Sequence, residues 1–136
     1  MIRNLMILNI TIFALGLTGC ASRIYQQEGV EQLAPPDYLA ALETSEDAYL
    51  LDIRTPMEYR KAHLEGAVNI NFISFSFGKK IKQLDVDRPV FIYCHTAHRS
   101  PFVARKLHKK GFTRIVDLEG GYRAMKRYRE SMEGDE

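Results

Sequence analysis

A chain of 136 residues has room for one domain of ordinary size, and 46% hydrophobic with 26% charged residues is the balance of a folded globular protein. That composition excludes a disordered chain and a multi-span membrane protein. A net charge of +2 at pH 7, with basic and acidic residues interleaved through most of the chain, demands no polyanionic partner and argues against nucleic acid.

Two cysteines, Cys20 and Cys94, would suit one disulfide, but the residues around them predict separate fates. The chain opens like an export signal: Arg3 stands near the start, residues 5–17 are largely apolar yet too short to span a bilayer, and Thr18 and Gly19 are small. The run Leu17-Thr18-Gly19-Cys20 resembles the bacterial lipoprotein cleavage box, which implies a signal peptide at 1–19 that is removed and acylation of Cys20. Residues 20–29 are then expected to be the lipidated cysteine and its tether, with the eight residues Ser22 to Gly29 spanning on the order of 25 Å if extended. Several acyl chains hold a protein on a membrane without crossing it. Ala21, with no aspartate after the cysteine, resembles lipoproteins sorted onward, so the expected location is the cell envelope, on an outer membrane facing the periplasm.

From Val30 the chain alternates short apolar runs with helical segments, the pattern of an α/β domain with a largely parallel sheet and helices on both faces. A weak strand at Val30 to Leu33 leads to Pro35-Pro36, which opens an amphipathic helix through Tyr38, Leu39 and Leu42. Ala48 to Ile53 is a stronger strand, nearly all apolar at its centre, as a strand covered on both faces should be. Pro56 starts a short helix, Ala67 to Ile70 forms a third strand, and a helix is expected within Phe72 to Leu84. Val90 to Tyr93 are four β-favouring residues running directly into Cys94. Ser100 is a suitable N-cap and Pro101 a suitable first residue for a helix to Lys110, which Gly111 stops. Ile115 to Leu118 is the last strand, and Gly120-Gly121 turns the chain into a basic helix, giving a domain over 30–131 and a frayed tail at 132–136.

The chemistry concentrates in Cys94-His95-Thr96-Ala97-His98-Arg99-Ser100, a loop between a strand end and a helix start. Ligands of open α/β sheets bind outside the carboxyl ends of strands, and a helix N-terminus offers unpaired N–H groups and positive potential. That field, with Arg99 and a protonated His95 or His98 nearby, is expected to favour the nucleophilic thiolate of Cys94. No metal-ligand spacing is present and no cofactor is implied.

Asp52-Ile53-Arg54-Thr55-Pro56-Met57-Glu58-Tyr59 with His63-Leu64-Glu65-Gly66-Ala67-Val68-Asn69-Ile70, the Cys94 loop, and Leu118-Glu119-Gly120-Gly121 together resemble the rhodanese-homology domains. The resemblance implies transfer of a sulfane sulfur through a Cys94 persulfide, from thiosulfate or a persulfide to a thiol or cyanide-like acceptor, with residues His95 to Ser100 forming the persulfide-binding loop that Arg99 closes. Asp52 and Arg54 then form an internal ion pair or hydrogen bonds to the loop, Arg54 being also placed to face the anionic donor; Glu58 and His63 fix the turn before the third strand. Ala97 departs from the glycine many such loops place there, and a left-handed backbone costs alanine about 1 kcal/mol, so a reshaped loop is expected. Cell-cycle phosphatases and arsenate reductases, which share a related fold, hold one more residue between cysteine and arginine than the four here, so a single sulfur suits this loop better than a tetrahedral oxyanion. The alternative that stays open is a rhodanese fold kept as a catalytically weak or inactive binding module at the cell envelope.

Overall fold

Five short strand-forming runs set the frame, and the three central ones, Tyr49–Asp52, Val90–Tyr93 and Ile115–Leu118, are covered on both faces. In a computed structural model that describes residues 22–134 they form β1 (Val30–Leu33), β2 (Tyr49–Asp52), β3 (Val68–Asn69), β4 (Val90–Tyr93) and β5 (Ile115–Leu118). All are parallel, in the order β1-β5-β4-β2-β3. Five helices connect or follow them: α1 (Pro35–Glu43), α2 (Pro56–Lys61), α3 (Phe77–Lys82), α4 (Ser100–Lys110) and α5 (Gly121–Glu133).

Alternation along the strands builds two cores. Val90, Ile92 and Cys94 face Ile81 of α3 and Val103, Ala104 and Leu107 of α4. Phe91 and Tyr93 face the other way, with Tyr38 of α1, Met125 of α5 and Leu64. The α/β fold with helices on both faces is therefore as the sequence predicts. Since α2 leaves β2 toward one face and α4 leaves β4 toward the other, the crevice between these neighbours is the sheet's switch point.

Two expectations are corrected, and a third is met over a narrower span. Ser22 to Gly29 is no extended tether: Ser22–Gln26 is a 3-10 helix, Ile24 is buried against the α4 core, and Tyr25 donates to Asp117. Burying an isoleucine contributes about 1.5–3 kcal/mol, enough to dock a short segment that an extended chain would leave in water. The helix expected within Phe72 to Leu84 is confined to Phe77–Lys82, because Asn71 Oδ1 and Ser74 Oγ accept from the amides of Ile73 and Ser76 and hold that stretch in turns. α5 continues to Glu133, past the expected frayed start at 132, since nothing breaks its helical pattern before Gly134. The expected signal at 1–19 and Cys20 lie outside the described residues.

The start of α5 positions the site. The amides of Tyr122 and Arg123 donate to the carbonyls of Cys94 (2.8 Å) and His95 (3.1 Å). Such contact requires a bare Cα at Gly121, where an added Cβ would lie 2.5 Å from the Cys94 oxygen and φ is +63°. Gly121→Ala should therefore lower stability by about 2–4 kcal/mol, on the order of 10 °C in Tm, by clash plus backbone strain. Gly66→Ala, at φ +78° with nothing near the new methyl, should lose only about 1 kcal/mol. Equal melting temperatures for the two variants would dismiss the close approach.

A second buried polar group lies on the α4 side. Asp117 of β5 accepts from Tyr25 and, at 3.0 Å, from Gln32, while its Oδ1 and the nearby Ser100 Oγ are buried without partners. Burial pushes this carboxyl up from 3.8 to about 6, against the opposing pull of the hydrogen bonds from Tyr25 and Gln32. The folded chain thus keeps a proton that the unfolded chain has released. This contribution is complete below about pH 3.8 and is lost as pH rises through about 6, a change of roughly 3 kcal/mol. The stability of wild type minus that of Asp117→Asn, from urea midpoints, should fall from pH 4 to 7.5; a flat difference would mean that the carboxyl titrates normally.

Candidate functional site

Cys94 stands at the end of β4, at the switch point, and its residue is fully buried on the α4 side. The loop after it runs from His95 to Arg99 with His95 and His98 exposed and Thr96, Ala97 and Arg99 half-buried. Thr96 Oγ1 and His98 Nδ1 are 2.8 Å apart, so His98 is turned onto the loop itself. Ala97 takes φ +63°, so the left-handed turn is made with alanine. The backbone cost is about 1 kcal/mol.

Among the described residues, none of the backbone amides from His95 to Arg99 donates a hydrogen bond. A trans peptide points its N–H opposite to its C=O. Because the carbonyls of Cys94 and His95 point at α5, on one face of the sheet, the amides of His95 and Thr96 point away from α5, toward the face that holds the cysteine side chain.

Ser100 is not the N-cap expected from its type. It is the first helical residue, Arg99 is the N-cap in αR geometry, and no side chain caps the helix. The serine hydroxyl is instead buried, with no hydrogen-bond partner. At the start of this eleven-residue helix Pro101 has no N–H and the Phe102 amide donates to the Arg99 carbonyl at 3.2 Å, so the free amides are those of Arg99 and Ser100, at the positive end of the helix.

Arg99 reaches across to α2. Glu58 divides its carboxylate: Oε2 accepts from the amide (3.0 Å) and hydroxyl (2.7 Å) of Thr55 in a capping box, while Oε1 lies 3.4 Å from Arg99 and 4.0 Å from His95 Nδ1. Partial burial works against the charge, but the Thr55 hydrogen bonds and then Arg99 hold the Glu58 pKa below its ordinary value. Glu58 thus ties α2 to the cysteine loop, a link beyond the turn-fixing role its position predicts. His63 does serve that turn, with Nδ1 2.8 Å from the Tyr59 carbonyl and its ring stacked on Tyr59.

The ion pair expected of Asp52 and Arg54 is present and buried, at 2.6 Å. Arg54 also donates to the Ala62 carbonyl at 2.7 Å, and its guanidinium lies over the Tyr122 ring at 4.1 Å. Arg54 lines a cavity of about 460 Å³ with Glu58, Lys61, Ala62, His95, Tyr122, Arg123 and Lys126, but its charge is committed to Asp52. The exposed cations of that cavity come from α2 and α5, which carry no cysteine-loop motif; their only sequence signal is the basic character of the last helix. Cys20 lies outside the described residues.

Comparison with known proteins agrees with this geometry. The chain is 34% identical over 103 residues to the uncharacterized protein YqhL of Bacillus subtilis, covering 76% of this chain and 78% of that protein. It is 32% identical over 78 residues to a protein named thiosulfate sulfurtransferase GlpE from Glaesserella parasuis, covering 57% of this chain and 70% of the relative. A rhodanese-related protein of Thermoplasma volcanium superposes with a TM-score of 0.62 at 24% identity, over 71% of this chain and 91% of that one, which speaks for the fold alone. A family model for the rhodanese-like domain matches residues 35–128, from the first turn of α1 into α5 and across the whole cysteine loop, and the chain therefore belongs to the rhodanese-like domain family.

Proposed function

We propose that the protein is a sulfurtransferase that carries a sulfane sulfur on Cys94. The observation that carries this reading is the loop from His95 to Arg99, whose amides are all unclaimed and which closes around the cysteine at an uncapped helix start. Relatives named thiosulfate sulfurtransferase support the same class of chemistry. In the first half-reaction the Cys94 thiol releases its proton to water, and the thiolate attacks the outer sulfur of thiosulfate. A sulfur–sulfur bond forms as the old one breaks, and sulfite leaves with the bonding pair. In the second, an acceptor thiolate or cyanide attacks the terminal sulfur and restores the Cys94 thiolate.

Within this scheme the amides of His95 and Thr96, with the start of α4, stabilise the negative terminal sulfur as an oxyanion hole stabilises developing charge. Arg99 shapes the loop by its bond to Glu58 and adds positive charge that no working pH removes. Lys61, Arg123 and Lys126 would draw an anionic donor to the cavity beside His95.

Burial of Cys94 favours a second reading, in which the fold serves as a binding module and the cysteine is a small core residue. Intact mass separates the two. After thiosulfate treatment a carrier gains one sulfur on Cys94, and Cys94→Ser should lose at least about a hundredfold in thiosulfate:cyanide activity while its melting temperature barely moves. No mass gain in wild type, or near-wild-type turnover in the variant, would remove the persulfide mechanism.

We further propose that the chain is an envelope lipoprotein acylated at Cys20, on the strength of the Leu17-Thr18-Gly19-Cys20 box behind an apolar, Arg3-headed segment. Cys20→Ser should then appear in the soluble fraction after a high-salt wash, and a variant that still sediments with membranes after that wash would refute acylation.

A further inference from the structure

The near-neutral total of +2 hides a segregation of charge that begins in the sequence and that the fold gathers onto one face. Residues 71–84 and 96–116 contain no aspartate or glutamate, and they are the segments that pack α3 and α4 side by side. Lys82 of α3 meets Lys106, Lys109 and Lys110 of α4 along one groove, with Lys79 and Lys80 exposed on α3 beside it. Among the described residues, none of these six lysines has a carboxylate within ion-pair distance.

The same face carries bare apolar side chains. Phe75 is fully exposed, Ile73 is 66% exposed and Phe102 is 49% exposed. Lys106 binds these groups into one patch, since its ammonium lies 5.3 Å from the rings of both Phe72 and Phe77, which bracket the turn bearing Ile73 and Phe75. Phe102, Lys106 and Lys109 follow at spacings of four and three on α4, a stripe of about 10 Å along one side of the helix.

We propose that this α3–α4 face docks on an anionic phospholipid surface, with Ile73, Phe75 and Phe102 entering the headgroup boundary and the lysines contacting lipid phosphates. Cations alone would suit any polyanion, but apolar tips ringed by lysines suit a surface that is charged outside and apolar beneath. The cavity lined by His95 and Tyr122 opens on the side of α2 and α5, across the sheet, so docking leaves it free. This surface is independent of acylation at Cys20 and of the sulfur chemistry.

The chain contains no tryptophan, so Phe75→Trp in the full chain gives a reporter confined to this face. With phosphatidylcholine vesicles containing about one third phosphatidylglycerol, its emission should shift to the blue and be quenched by lipids brominated in the acyl chain. Adding Lys79→Glu, Lys80→Glu and Lys82→Glu, all at exposed positions and checked by circular dichroism, should weaken that response more than about tenfold, and high salt should weaken it too. Pure phosphatidylcholine should give no response. An indole that stays water-exposed on anionic vesicles overturns the proposal. So does equal quenching on neutral vesicles or in the charge-reversed variant, which would place the contact elsewhere, and so does a response to polyglutamate without one to vesicles, which would point to an acidic protein.

Discussion

The carboxyl end of the sheet depends on a main-chain contact that no side chain could replace: the 2.8 Å hydrogen bond from the Tyr122 amide to the Cys94 carbonyl, made where Gly121 has no Cβ. A helix start ordinarily leaves its amides to a cap or to water. Here two of them are spent on the cysteine loop, and α5 becomes its outer wall. Peptide planarity carries the effect further, because fixing two carbonyls on one face of the loop fixes the following amides on the other. The direction in which the loop's free amides point is therefore set from across the sheet, by a residue with no side chain.

Two carboxylates then fix the loop's surroundings in different ways. Asp52 receives the Arg54 amide at 2.9 Å and the guanidinium through three further contacts, and both residues are buried. A buried pair of this kind is a weak source of net stability, because desolvation offsets most of the attraction, but removing either partner strands the other's charge. Its consequence is geometric: Arg54 is pinned under Tyr122, with Nη2 donating to the Ala62 carbonyl as well as to Asp52. Glu58 is half-exposed and weaker in energy. By serving Thr55 with one oxygen and Arg99 with the other, it converts a local capping box into a tertiary link between α2 and the site.

Much of this was legible in the sequence because it is local. The run from Val90 to Tyr93 into Cys94 is a strand by residue type alone, Gly111 ends α4 at φ +108° as a C-terminal glycine should, and the proline-led helices begin where their prolines stand. What was not legible involves residues far apart in the chain. Ser100 has every local property of an N-cap, yet it is the first helical residue with its hydroxyl buried, and Tyr25 crosses from the expected tether to the Asp117 carboxylate. Glu58 reads as half of a capping box, which it is, and nothing near it announces Arg99. The lysines of α3 and α4 stand in two separate acid-free runs of the chain; packing α3 on α4 brings the two runs together.

Burial of Cys94 and strain at Ala97 belong to one problem. A donor sulfur cannot reach a cysteine with no exposed surface, so any transfer requires the loop to move, and the elements that would resist are the α5 amides and the Arg99–Glu58 bridge. Ala97 sits in that same loop, and its left-handed backbone costs about 1 kcal/mol that glycine there would largely avoid, a cost the surrounding contacts of α5 and of Arg99 with Glu58 have to offset.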